Sequence, residues 1–229
     1  YFLSRNYPAK LEEDFVVVWW EQRGSGISYS PDIPQETMTL EHMLSDTKEV
    51  TRYLRKRFGK DKIYLMAHSG GTYIGMHAVA RMPEFYHAYI GIAQMSRQIE
   101  SEILARDYMI RRYRQLGNTD MTTKLKAAEV SRKHGTSEEY LGLRDAAMHE
   151  LGIGTTRDMS SVITGILLPS LLCREYTLGE KLNMWRGKSR SGVSVLWKDM
   201  LSADLAEQIP AVDVPVYFFH GSFDYTVSY

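Results

Sequence analysis

The stretch Lys62-Ile-Tyr-Leu-Met-Ala-His-Ser-Gly-Gly-Thr-Tyr73 decides the fold. Ile63, Tyr64, Leu65 and Met66 form an apolar run of strand length and read as a buried strand. Beyond Ser69, the residues Ile74, Met76, His77, Ala78 and Val79 mix apolar and small side chains at helical density until Met82-Pro83 stops them. The reading is strand, one-residue corner, helix, with Ser69 at the corner. A serine placed there has a strained backbone and an exposed hydroxyl above the end of the sheet, and it needs small neighbours because strand and helix nearly touch. Ala67 and Gly71 are the residues expected to supply them, so that Ala67-His68-Ser69-Gly70-Gly71 matches G-x-S-x-G with alanine in the first small position. The alternative for this window alone is an ordinary turn in which Ser69 merely caps the helix.

Upstream, Phe15-Val-Val-Val-Trp-Trp20 is apolar without alternation and β-branched at three of its six positions, which suits a strand covered on both faces in a parallel sheet. It runs into Glu21-Gln-Arg-Gly-Ser-Gly-Ile-Ser28, a tight loop at a strand's carboxyl end. Gly24 and Gly26 lack the third glycine and following helix of a dinucleotide fingerprint, so no cofactor is expected there; Arg23 is expected to brace the loop on carbonyls or a carboxylate. Leu40, Met43, Leu44, Thr47, Val50, Thr51, Leu54 and Phe58 recur at three- and four-residue steps, predicting an amphipathic helix capped by Thr39 and ended by Gly59. Its late arginines and lysine suit a helix carboxyl terminus rather than a binding patch. His87 to Ala93 is another candidate strand. The order strand, helix, strand, helix, strand implies an α/β fold with a mostly parallel sheet flanked by helices.

From Arg97 to Pro210 the texture changes to Met, Tyr, Arg and Glu, with helices expected near Ile99 to Tyr113, Asp120 to His134, Ser137 to Leu151 and Ser160 to Tyr176. Arg106, Arg111, Arg112 and Arg114 read as a solvated face. Sheet character returns in Val212-Asp-Val-Pro-Val-Tyr-Phe-Phe-His-Gly221, and Asp224 follows at a strand's carboxyl end. The expected organisation is a first core part over 1–96, an inserted helical cap over 97–211 and a return to the core over 212–229.

Lys+Arg and Asp+Glu both number 28, which gives no reason to expect nucleic acid or an anionic membrane as partner. One cysteine, Cys173, rules out an internal disulfide and fits a reducing, cytoplasmic compartment. The longest apolar-rich run, Val162 to Cys173, is too short and too interrupted to cross a bilayer. No H-E-x-x-H or similar spacing suggests a metal.

Three motifs together resemble proline iminopeptidase-like serine hydrolases of the α/β-hydrolase fold. Trp20 to Ser28 resembles their D-Q-R-G-x-G-x-S loop, with Glu21 in place of the aspartate; Ala67 to Gly71 resembles their nucleophile elbow; Val214 to Asp224 resembles the strand and turn that deliver the triad acid. The tryptophan that usually follows the nucleophile in proline iminopeptidases proper is Gly70 here, a departure that bears on proline specificity and leaves serine hydrolysis untouched. The resemblance implies Ser69 as nucleophile, Asp224 as the acid and the Gly70 N–H as an oxyanion donor, acting on a small ester or short peptide. It also implies that the family's base histidine and glycine-rich oxyanion loop lie outside these 229 residues, because the family places them beyond Tyr229 and before Tyr1. A catalytically silent binding or receptor protein on the same fold is the competing reading, since a fold does not dictate a function; a metal-dependent hydrolase ranks below both.

Overall fold

A computed structural model of the chain describes residues 10–154, 159, 161–188, 190 and 192–228, with 192 and 193 described by backbone alone. After three single-turn 3-10 helices, its first described α-helix is α1, Leu40–Phe58, where the Thr39 hydroxyl accepts from His42 N and Gly59 closes the helix with φ 60. A side chain at Gly59 would be strained at that φ, which is why glycine stands there. Next come β1 (Ile63–His68), α2 (Gly71–Arg81) and β2 (Tyr86–Ile92). The central portion contains α3 (Gln98–Gln115), α4 (Thr119–Ala127), the two-residue strands β3 (Val130–Ser131) and β4 (Gly135–Thr136), and α5 (Glu138–Glu150). A π-helical turn over Ile163–Leu167 leads into α6 (Leu168–Leu172), followed by α7 (Leu178–Gly187), α8 (Gly192–Val195), α9 (Trp197–Ser202) and α10 (Leu205–Gln208). The last element is β5, Val216–Phe219.

Strands β1, β2 and β5 form one sheet in that order, both pairs parallel, with Leu65 opposite Tyr89 and Tyr89 opposite Val216. Parallel pairing aligns the carboxyl ends, so the residues that follow β1 and β5 emerge at the same edge of the sheet. Ile63, Leu65, Ala67 and Val216 pack into a core with Met43, Leu44, Ile74, Val79 and Tyr89, built mainly from α1, α2 and β2. A second core joins Ala105, Met109 and Tyr113 of α3 to Leu125, Tyr140, Ala147 and Met148. Leu196, Met200, Ala203 and Leu205, which sequence alone places in the cap, belong to the first core.

Four expectations change. Phe15 to Trp20 is no strand: among the described residues no backbone ladder engages it, and Phe15, Val16, Val18 and Trp19 are exposed. An apolar run becomes a strand only when a neighbouring backbone takes its N–H and C=O groups, and such a neighbour is not encoded in the run itself. Phe15 lies edge-on to Tyr64, with ring centroids 5.6 Å apart. Second, β1 is covered on one face only, with Ile63, Leu65 and Ala67 inward and Tyr64, Met66 and His68 exposed. Tyr217 and Phe219 of β5 continue that open face, where parallel sheets are ordinarily covered on both sides.

Third, the helix expected up to His134 stops at Ala127 and gives way to the β3–β4 hairpin. Gly135 takes φ 74, and the Ser131 hydroxyl accepts from His134 N at 3.1 Å, so local turn chemistry overrides helical density. Fourth, Arg106 is not on a solvated face. Its guanidinium donates to the carbonyls of Leu125, Lys126 and Ala128, closing the carboxyl end of α4, whereas Arg111, Arg112 and Arg114 are exposed as expected.

Candidate active site

Ser69 stands between the end of β1 and the start of α2 with φ 50, a left-handed conformation that costs a non-glycine residue energy. Its N–H donates to the carbonyl of Ile92 at 2.9 Å, tying the corner to the end of β2, and its carbonyl accepts from Thr72 N at 2.8 Å and from the Thr72 hydroxyl. That hydroxyl in turn accepts from Met95 N at 2.9 Å. Beneath the corner the Tyr89 phenol donates to Gln94 Oε1 at 2.7 Å, and burial raises its pKa far above the usual phenol value. Together these contacts determine the backbone of Ser69 from several sides, which is the condition under which strain persists.

The close approach of helix and strand is real, but it lies one turn further along than the pentapeptide suggests. A Cβ on Gly75 would sit 2.9 Å from Ala67 Cβ and 2.9 Å from the Tyr89 ring, whereas one on Gly71 would meet nothing within 4 Å. Ala67 and Gly75 are therefore the pair that lets α2 pack on β1. Sequence reasoning missed Gly75, although a glycine four residues into a helical run is itself a packing signal. Gly70 is the N-cap residue of α2 at φ −52, and among the described residues no acceptor takes its N–H.

Asp224 follows β5 at the same sheet edge as Ser69. Its Oδ1 accepts from Thr226 N at 2.9 Å and Val227 N at 3.0 Å, while Oδ2 takes no hydrogen bond among the described residues. The carboxylate is near enough to His68 to be felt there. Burial of part of that ring lowers the His68 pKa, against the opposing pull of the Asp224 charge, although the residue as a whole is exposed.

Glu21 does not point at this corner. It accepts from Ile27 N and the Tyr176 hydroxyl, folded beneath Gly26 so closely that a Cβ there would overlap its carboxylate. Arg23 makes a two-pronged pair with Asp46 at 2.8 and 2.6 Å, the carboxylate brace expected of it. The histidines fall elsewhere by hydrogen bond or packing: His42 on Thr39, His134 on Glu129, His149 on the Asp145 carbonyl, His77 against Tyr73 and His87 against Tyr64. Among the described residues no histidine hydrogen-bonds the Ser69 hydroxyl, and no three His, Cys, Asp or Glu side chains cluster as metal ligands. Among the described residues no helix is long and apolar enough to cross a membrane.

Comparison with known proteins extends this geometry. The probable aminopeptidase YbaC of Bacillus subtilis (strain 168) is 41% identical over 101 residues, a stretch that takes in 44% of this chain and 32% of that relative. Among solved structures, a Vigna radiata epoxide hydrolase mutant matches at 20% identity and TM-score 0.46, over 91% of this chain and 66% of that one. The proline iminopeptidase of Mycobacterium smegmatis matches at 15% identity and TM-score 0.45, over 86% of this chain and 60% of that one. The chain thus spans less than two thirds of each of these proteins. A family model described as serine aminopeptidase, S33, matches residues 10–150, more than half of the chain. The chain accordingly belongs to the S33 serine aminopeptidase family and has the α/β-hydrolase fold.

Proposed function

We propose that the protein is a serine hydrolase that cleaves an ester or an N-terminal peptide bond in a small or short substrate. The observation that carries the proposal is the left-handed Ser69 at the strand-to-helix corner, on the sheet edge to which Asp224 is also delivered. In this reading Ser69 Oγ attacks the substrate carbonyl while a histidine takes its proton, and Asp224 Oδ2 holds that imidazole in the productive tautomer. Six of the seven histidines sit where the hydrogen bonds, packing and charge above place them, and in this reading the base is a histidine outside the 229 residues. The Gly70 N–H, at the start of α2, receives the oxyanion together with a donor from an upstream loop; each such donor contributes roughly 3 kcal/mol to the transition state. Collapse of the tetrahedral intermediate returns the proton to the leaving alcohol or amine, and water then releases the acyl group from Ser69 by the same steps.

The relative named as a probable aminopeptidase supports the peptide arm, and the second core built on α3, α4 and α5 supports a helical cap in the part of 97–211 that these helices make up. The reading needs no metal or other cofactor, and the lone Cys173 is in keeping with the cytoplasm. The test is to assay the full-length protein with p-nitrophenyl acetate and a panel of aminoacyl p-nitroanilides beside its Ser69→Ala variant. Turnover of at least one class, lost in the variant, is expected. A well-folded full-length protein that turns over neither class contradicts the proposal and favours a silent binding protein on this fold.

A further inference from the structure

The loop that carries Asp224 is held by the cap helices. Gln98 and Glu102, four residues apart on one face of α3, are both buried, as are Tyr140 and Arg144 of α5. The Glu102 carboxylate accepts from Arg144 Nε and Nη2 at 2.7 Å each, from the Tyr140 hydroxyl at 2.9 Å and from Gln98 Nε2 at 2.8 Å. The other hydrogen of Gln98 Nε2 goes to the carbonyl of Thr226 at 2.8 Å. That carbonyl shares its peptide unit with the N–H of Val227, which donates to Asp224 Oδ1 at 3.0 Å. A single peptide group therefore joins a buried amide on one side to the Asp224 carboxylate on the other.

The orientation of the Gln98 amide is fixed by charge. Both groups facing its nitrogen, the Glu102 carboxylate and the Thr226 carbonyl, are acceptors, so the reverse orientation would set three oxygens against one another. A carboxylate this deeply buried holds its charge only when paired and fully hydrogen-bonded, and Arg144 with Tyr140 meets that need. The polarised amide and peptide then lie in series, an arrangement in which each hydrogen bond strengthens the next.

We infer that Gln98 is a positioning residue for Asp224, with the Glu102–Arg144 pair fixing Gln98 in turn, so that the cap sets where Oδ2 points. The inference rests on the reading of Asp224 as the acid of a serine hydrolase. Without Gln98 the Thr226 carbonyl keeps only the longer 3.4 Å bond from Arg144 Nη2, so the Thr226–Val227 peptide can tilt and carry Oδ1 with it, and an ångström of misplacement in such a relay costs on the order of 10²-fold in rate. A loop anchor of no catalytic consequence would change stability alone.

The test uses the full-length protein and its Gln98→Met, Gln98→Asn, Asp224→Asn and Gln98→Met/Asp224→Asn variants, with rates normalised to folded protein by circular dichroism. Gln98→Met keeps the volume and loses both hydrogen bonds; Gln98→Asn keeps the amide but is one methylene too short to reach both partners. Expected is a fall in kcat of about 10- to 100-fold for either Gln98 variant with KM changed by less than about twofold, and almost no further loss when Gln98→Met is added to Asp224→Asn. A folded Gln98 variant with kcat within about twofold of the parent, or losses that simply add in the double variant, overturns the inference. Failure of both Gln98 variants to fold makes the amide a structural pillar and equally removes the positioning claim. Should Asp224→Asn leave the rate unchanged, the serine-hydrolase reading of Asp224 is what fails, and the inference falls with it.

Discussion

Ser69 and Asp224 occupy matching places, each just past the carboxyl end of a parallel strand, yet they are held by opposite means. The corner at Ser69 is built from its own neighbourhood: the Ala67–Gly75 contact, the Thr72 hydroxyl and the adjacent strand's Ile92 carbonyl. The loop at Asp224 is built from far away. Gln98, Ser101 and Arg144 bond its backbone, the Ile153 carbonyl accepts from Tyr225 N at 3.4 Å, and the Tyr225 ring lies on Tyr108 with centroids 4.3 Å apart. The Ser69 corner needs little more than β1, α2 and the end of β2 to be in place. The Asp224 loop is in place only once α3 and α5 have packed against it.

That contrast can be broken at either end. The largest effect is expected from Asp224→Asn, which removes the charge and gives the imidazole the wrong partner; kcat should fall by roughly 10³-fold with little change in melting temperature, read by steady-state kinetics beside thermal denaturation. Gly75→Val strikes the local side. Its added methyls have no room between Ala67 Cβ and the Tyr89 ring, so the variant should lose about 1–3 kcal/mol in a urea titration and lose activity with it. An unchanged midpoint would show that the strand–helix approach does not support the corner.

Alkaline pH probes both sides at once. Tyr89 beneath the corner and Tyr113 and Tyr140 in the second core have phenols whose pKa burial raises, with Glu150 adding to it at Tyr113 and Glu102 at Tyr140. A raised folded pKa gives stability that is complete below the unfolded value near pH 10 and is lost as pH climbs from there towards the folded value. Melting temperature should thus decline steeply above about pH 10, and a flat profile to pH 11 would contradict the burial of these phenols. The smallest effect should come from Tyr108→Leu, which removes one ring from the Tyr108–Tyr225 pair. A loss of about 1 kcal/mol is expected, with a small fall in kcat and a matching slowing of fluorophosphonate labelling at Ser69.

Much of the local side is legible in the sequence because its causes are contiguous. The α1 stripe with Thr39 and Gly59 at its ends, the β1–Ser69–α2 corner and the β2 strand all follow from periodicity, caps and small residues. What sequence misses is non-local. Phe15 to Trp20 has the composition of a buried strand, but pairing depends on a neighbouring backbone, and one-face coverage of β1 depends on what packs over Tyr64 and Met66. Arg106 looks like one more surface arginine until the end of α4 is laid beside it. At the candidate site, Ser69 and Asp224 are readable as residue types in a family pattern, while Gln98, Glu102 and Arg144 look like ordinary polar residues of amphipathic helices. Only the packed structure places Gln98 on the carbonyl of a residue 128 positions away.

The central claim is that Ser69 is the nucleophile, and covalent labelling tests it most directly. The full-length protein, treated with a fluorophosphonate and analysed by peptide mass spectrometry, should carry one adduct, on the tryptic peptide that contains Ser69. The adduct should be absent from Ser69→Ala and should form more slowly in Asp224→Asn by about 10²-fold or more. An adduct on a different residue, or undiminished turnover by Ser69→Ala, would contradict the account.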